Sequence, residues 1–299
     1  MTSKITPTEL RRRLRARLAD GKIVVAPGIY DSYGARFVAE AGFEAVYMTG
    51  NGVSASLLGR PDVGLIDLTL LSQHAHRAAS AVDIPLICDA DTGYGNVVNV
   101  KRTVEEFEAA GVAAIHMEDQ VSPKRCGQLP GARPVIELNE AVGKIEAAVA
   151  AKRDPEFIVI ARTDSAESRG LDEAIRRAQA FIKAGADVAF VEIKAGPTIL
   201  DDLKRIAAAV PAPCLVNVDA GGKMAELTAD EIGALGMRLA IYPGLARCAA
   251  GFAIQSACAA LKRDGNTAAV RDRMLTPQQY NAALGLNEIE AWETKYLKS

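Results

Sequence analysis

Long hydrophobic runs, paired cysteines and an excess of charge of either sign are all missing from this 299-residue chain. No apolar run is long enough to cross a bilayer, and the opening MTSKITPTEL has no apolar signal core, so a cytoplasmic protein without membrane contact is expected. A formal net charge of −2 gives no basis for nucleic-acid binding. The nearest candidate, RRRLRAR (Arg11 to Arg17), reads as a solvated helix face. The five cysteines (Cys88, Cys126, Cys214, Cys248, Cys258) contain no CxxC pair, which argues against a disulfide framework and a zinc knuckle. Histidine is scarce as well. His74 and His76 lie two apart in a helical pattern, on different faces, and make no metal-binding pair.

What is present is a repeated alternation. Short apolar runs (KIVVAPG, EAVYMTG, IPLICDAD, VAAIHMED, FIVIARTD, DVAFVEI, APCLVNV, LAIYPG) alternate with segments whose apolar residues recur three and four apart. About eight strands, hydrophobic on both faces and separated by helices, imply a parallel sheet covered on both sides. No linker or composition shift divides the chain. We therefore expect one domain over 1–299, an α/β fold of the (β/α)8 TIM-barrel type with a C-terminal helical extension. An open doubly wound sheet is the alternative, but the sequence holds no GxGxxG fingerprint.

The polar residues gather where strands end: Thr49, Asp89, Asp91, His116, Glu118, Asp119, Arg162, Asp164, Glu192, Asn217 and Tyr242. In a barrel those ends converge on one rim, where active sites are built. Asp89, Asp91 and Glu118 would form a cluster of hard oxygen ligands suited to Mg2+, with Mn2+ possible, over zinc. Arg162 offers a planar fork for a carboxylate, or an ion pair with a neighbour such as Glu192. The TGNG stretch (Thr49, Gly50, Asn51, Gly52) reads as a tight turn presenting backbone N–H groups to an anion. Cys126 lies in the loop SPKRCGQLPGARP, where Lys124 and Arg125 would favour a thiolate; it is either a proton donor on a closing loop or an ordinary thiol. His116 points the same way as Glu118 and either stands behind it in the site or is simply a satisfied polar residue.

In this order, YMTGNGVSAS, GRPDVGL, CDADTGYGNVVNVKRTVEEFEAAGVAAIHMEDQ, PKRCG, ARTD and IYPG closely resemble the isocitrate lyase / phosphoenolpyruvate mutase superfamily, nearest its methylisocitrate lyase and dimethylmalate lyase branch. The likeness runs from about residue 20 into the C-terminal region. It implies a barrel whose last helix is swapped between subunits, a homotetramer built as a dimer of dimers, and Mg2+ at the rim. By the same resemblance Asp89, Asp91, Glu118 and Asp62 belong to the metal site. Thr49, Gly50, Asn51, Arg162, Glu192 and Asn217 would hold substrate, Cys126 would be the proton donor, and Tyr47 (or a metal-bound water) the base. The implied activity is a carbon–carbon lyase that splits a substituted 2-hydroxy di- or tricarboxylate, of 2-methylisocitrate or alkylmalate type, into a 2-oxo acid such as pyruvate and a carboxylate. An oxaloacetate decarboxylase and a non-catalytic organic-acid-binding barrel are the alternatives.

Three departures from that pattern fall near the substrate's far end. Gln128 stands where the lyases carry histidine, with Arg133 a substitute cation further along the loop. NVDAGGK keeps Asn217 but has Ala220 for the usual glutamate, with Asp219 one residue earlier. VEIKAG places Lys194 where a small residue or proline is usual.

Overall fold

The computed structural model describes residues 5–127, 129, 133–218 and 222–297. Gln128, Asp219 and Ala220 lie outside the described residues. Eight parallel strands close into a barrel in sequence order: β1 (Val24–Ile29), β2 (Val46–Met48), β3 (Leu86–Asp89), β4 (Ala114–Glu118), β5 (Ile158–Thr163), β6 (Val188–Val191), β7 (Cys214–Asn217) and β8 (Leu239–Tyr242). This is the (β/α)8 barrel that the alternation predicts.

The helices, in chain order, begin with α1 (Pro7–Ala19) and α2 (Ser32–Glu40). Next come α3 (Gly50–Leu58), α4 (Leu68–Ser80), α5 (Val97–Ala109) and α6 (Leu138–Ala151). They are followed by α7 (Ser165–Arg169), α8 (Leu171–Lys183), α9 (Ile199–Ala209) and α10 (Ala229–Ala234). The chain ends with α11 (Leu245–Asp264), α12 (Pro277–Ala283) and α13 (Leu286–Tyr296).

Side chains alternate across each strand, and that parity sorts the core. Tyr47, Ile87, Ala114, Ile158, Ile160, Phe190, Leu239 and Ile241 pack inside the barrel. Their chain neighbours Val46, Met48, Cys88, Ile115, Met117 and Val159 face the helices. Continuing the inward parity to the strand ends selects Asp89, His116, Glu118, Arg162, Glu192 and Asn217. The register sets Asp89 beside His116, Glu118 beside Arg162, and Arg162 beside Phe190. The site is thus the last inward layer of the barrel. Asp119, expected at the rim, has outward parity and pairs instead with the fully buried Arg177 of α8 (3.0 Å). Tyr242 likewise packs toward the outer helices.

The basic N-terminal helix is not a solvated face. Leu14 and Leu18 of α1 join the barrel's interior cluster and close its amino-terminal end. Arg11 is buried; it donates to the Val112 and Glu108 carbonyls (3.0 and 2.7 Å) and pairs with Asp154 (2.6 Å). Spacings of three and four residues put Arg11, Leu14, Arg15 and Leu18 on one side of the helix, a stripe hidden in the sequence by the run of arginines.

The last three helices differ from those that cover the barrel, α12 and α13 burying no residue at all. Of the 20 residues of α11 only Ala260 is buried, while Phe252 and Ile254 are 70% and 63% exposed. No described helix spans a membrane by length and hydropathy.

Candidate active site

β2 runs almost directly into α3, so TGNG is not a free turn but a helix start with Thr49 as its N-cap. First-turn amides of a helix lack intrahelical partners and carry the positive end of its dipole, so the anion-binding property expected of the turn is kept by a different structure. Gly50 N donates to Asp89 Oδ2 (3.3 Å). A Cβ at Gly50 would lie 2.8 Å from that oxygen, which is why glycine stands there. Asn51 faces the cleft and donates from Nδ2 to Cys126 Sγ (3.1 Å).

The segment after β3 is bent sharply. Asp91 has φ +48 and Tyr94 +59, left-handed values that cost a non-glycine residue roughly 1–3 kcal/mol each. The bend folds the Asp91 amide back onto Asp89 Oδ1 (3.0 Å) and brings the Asp91 carbonyl to the Glu118 amide (2.9 Å). Asp89, Asp91, Glu118 and Asp62, which follows α3, are thereby buried together.

Lys124 sits among these carboxylates, its Nζ 2.6 Å from Asp62 Oδ2 and 2.7 Å from Asp91 Oδ1. It does not serve the Cys126 thiol, as its sequence position suggests; the buried acids claim it. Burial opposes ionisation of Asp89, but Lys124, His116, Arg162 and the Asp91 amide outweigh it and hold that carboxyl below its usual range. Burial raises Asp91 and Glu118. Among the described residues no three carboxylate, cysteine or histidine side chains converge as a metal-ligand set in this arrangement. The cluster nonetheless fits a hard divalent cation. Its donors are all oxygens, and Lys124 with an Arg162 shared with Asp164 leaves four buried carboxylates short of positive charge.

Arg162 forks onto Asp164 through Nε and Nη2 (2.9 Å each) and approaches Glu118 Oε2 (3.3 Å), with Glu192 further off (3.8 Å). Its guanidinium also covers the Phe190 ring at 4.9 Å. Asp164, rather than Glu192, is therefore the main partner. Arg133 is buried against Asp164 and pairs with Glu167 of α7 (3.1 Å), so it ties the cysteine loop to the end of β5. Asn217 Nδ2 lies 3.5 Å from both Glu192 oxygens.

Behind the site, the Tyr47 hydroxyl is 2.8 Å from His116 Nε2. Burial pulls His116 down to about 4 and, with Asp89 adding, pushes the Tyr47 phenol well up. Tyr47 is then a neutral donor to Nε2, and the ring proton rests on Nδ1, 3.8 Å from Asp89 Oδ1. The phenol's single hydrogen goes to His116, so its oxygen is the atom left to meet a substrate hydroxyl.

These groups line a cleft of about 380 Å³ at the carboxyl ends of the strands. Tyr47, Thr49, Asn51, Asp62, Asp89, Glu118, Cys126, Arg162, Glu192 and Asn217 all reach it; Gly50 and Asp91 stand behind its wall. Lys194 and Arg247 complete its far side. Arg247 carried no signal in the sequence beyond its place in the first turn of the helix after β8.

Residues 14–262 match the family model described as phosphoenolpyruvate phosphomutase. The chain is 44% identical over 284 residues to a 2,3-dimethylmalate lyase of Eubacterium barkeri, covering 95% of this chain and 97% of that protein. It is 39% identical to a 2-methylisocitrate lyase of Shewanella oneidensis, with 93% and 94% covered. Among solved structures, an oxaloacetate acetylhydrolase in complex with the inhibitor 3,3-difluorooxalacetate superimposes with a TM-score of 0.91 at 34% identity, over 99% of both chains.

Proposed function

We propose, from the premise that the chain belongs to the isocitrate lyase / phosphoenolpyruvate mutase superfamily, that it is a carbon–carbon lyase acting on a substituted 2-hydroxy di- or tricarboxylate. One observation carries this reading. Cys126 faces the same cleft as Arg162 and the Asp62, Asp89 and Glu118 carboxylates, so a proton donor and a charge-holding end share one substrate-sized space.

A divalent cation, Mg2+ by the hardness of the donors, would be held by Asp89, Asp91, Glu118 and Asp62 and would supply Lewis-acid polarisation of a 2-hydroxy carboxylate. The chain's own groups do the rest. Thr49 and the first-turn amides of α3 hold the 2-oxo-acid end as it forms. Tyr47, its hydrogen given to His116 Nε2, presents its hydroxyl oxygen to the substrate's C2 hydroxyl. Arg162, fixed by Asp164, receives the carboxylate of the departing fragment. The C2–C3 bond breaks as the C2 hydroxyl becomes a carbonyl and its proton passes to the Tyr47 oxygen, which hands its own proton to His116 Nε2. The electron pair passes to C3 as the enolate of the neighbouring carboxylate, and Cys126 Sγ delivers a proton there. Asn51, bonded to Sγ, aims the thiol.

Proton NMR of the Mg2+-supplemented protein with 2-methylisocitrate, 2,3-dimethylmalate, citramalate and oxaloacetate tests this. Pyruvate together with a second carboxylate, abolished by EDTA, is the expected result. Loss of oxaloacetate alone, above the metal-catalysed background, would overturn the lyase reading in favour of a decarboxylase. Ligand binding with no product would make the protein a binding barrel.

A further inference from the structure

We propose that Lys194 is a specificity-determining residue whose ammonium receives an additional carboxylate on the departing fragment, so that the preferred substrate is a 2-hydroxy tricarboxylate. This rests on the lyase reading above. The barrel's geometry provides the first support. The acidic cluster comes from β3, β4 and the segment after β2, whereas Lys194 follows β6 and Arg247 follows β8. In an eight-stranded ring β6 to β8 stand across from β2 to β4, so these two cations face the metal end from the opposite wall.

Charge provides the second. A dicarboxylate is already matched: one carboxylate goes to the cation and the α3 amides, the other to Arg162. Lys194 is surplus to that pairing. Ile193, Ile199 and Met224 line the same cleft and would suit a neutral alkyl arm without help. An ammonium that can leave Glu167 for that wall instead favours a charged arm over a neutral one.

The third support is availability. The Lys194 side chain is 50% exposed, and its ion-pair partner is Glu167. Such an exposed pair holds little energy, so structure alone does not require it. Glu167 keeps Arg133 (3.1 Å) when the lysine turns to substrate, so the exchange leaves no carboxylate unmatched. The same Glu167 thereby joins the distal lysine to the arginine that ties down the cysteine loop.

The experiment pairs turnover with binding on Mg2+-loaded protein. Steady-state kinetics of wild type, Lys194→Ala and Lys194→Arg would use 2-methylisocitrate (three carboxylates) and 2,3-dimethylmalate (two). Calorimetric titration of the same proteins would use the unreactive propane-1,2,3-tricarboxylate and succinate. For Lys194→Ala we expect KM for 2-methylisocitrate to rise about tenfold or more with kcat nearly unchanged, and the two-carboxylate substrate to stay within about twofold. Lys194→Arg should stay near wild type. Tricarboxylate affinity should fall by about tenfold in Lys194→Ala while succinate affinity holds. Equal losses on both substrates, no loss on either, or no tricarboxylate binding by wild type would overturn the proposal. Charge-dependent binding without turnover would sink the lyase reading and keep Lys194. Turnover that ignores Lys194 would do the reverse.

Discussion

At the scale of single residues, Cys126 carries the chemistry most directly. Cys126→Ser should lower kcat for C–C cleavage by about 10²-fold or more, because a serine hydroxyl is a far weaker acid in the same place, with KM changed by at most a few fold. Any oxaloacetate decarboxylation should be much less affected; equal loss in both reactions, read in parallel assays, would remove the proton-donor role. Lys124 makes a second prediction. Its ammonium shares Asp62 and Asp91 with the proposed cation. Lys124→Met should therefore show a larger rise in Tm on adding Mg2+ than wild type, since the ion then has no competitor for those oxygens. Equal shifts in the two proteins would refute that competition. The identity of the cleft residues was legible from the chain because strand parity and motif order both point to them. Their pairings were not. Nothing in KRCG says that Lys124 turns back onto Asp62 and Asp91 while Arg125 faces the cleft, for that depends on how the loop after β4 folds over the segment after α3. Asp164 is similar: it was legible as polar at a strand end, but its fork with Arg162 needs the geometry of two residues on one strand end.

At the scale of elements, α1 shows what periodicity hides when charge dominates a segment. A stripe containing two arginines and two leucines looks solvent-facing because arginine seldom goes inside, yet a guanidinium can when carbonyls and a carboxylate meet it. TGNG reads as a glycine-permitted turn, while at a helix start glycine's missing Cβ matters more than its flexibility. The α1 cap is testable through Asp154. Burial opposes its ionisation, but hydrogen bonds from Arg11 and Thr8 outweigh that and hold the carboxyl below its ordinary range. The sign follows: a folded-state pKa below the unfolded value of about 3.9 gives stability that is present above that pH and lost as pH falls through the folded value. Asp154→Asn should cost about 1–3 kcal/mol at pH 7, and the gap from wild type should close as pH falls below about 4. Urea midpoints at neutral and acid pH measure both. A gap independent of pH would mean that the carboxylate's charge is not what secures α1.

At the scale of the whole molecule, the C-terminal helices are the part that the single chain leaves unfinished. An isolated helix is marginal in water, and helices in proteins persist by burying one face. α11 buries one residue of its 20 and exposes Leu245, Phe252, Ile254 and Leu261, while Ile289, Trp292 and Tyr296 of α13 are exposed further on. Each such aliphatic or phenyl side chain forgoes part of the roughly 1.5–3 kcal/mol that full burial would give, and so many exposed apolar residues on one helix mark an association site. α12 does dock on its own barrel, through the Ala283 carbonyl accepting from Arg36 Nε (2.6 Å) and Tyr280 meeting Tyr33 at 5.8 Å between ring centroids. α11 thus bridges between two anchored ends while its apolar side chains stay uncovered. A second copy of the chain, exchanging the last helices as the sequence resemblance implies, would cover them on both sides at once. With two such exchanged dimers associating, as the same resemblance implies, light scattering on the eluted protein should give four times the 31.6 kDa chain mass. The double substitution Phe252→Glu with Ile254→Glu should shift that mass down, since two charges cannot be buried without partners. The cleft is built from the barrel of one chain, so the smaller species should retain its fold by circular dichroism. A wild-type protein that elutes as a monomer, or a double variant that keeps the full mass, would show that α11 stands in water as it is.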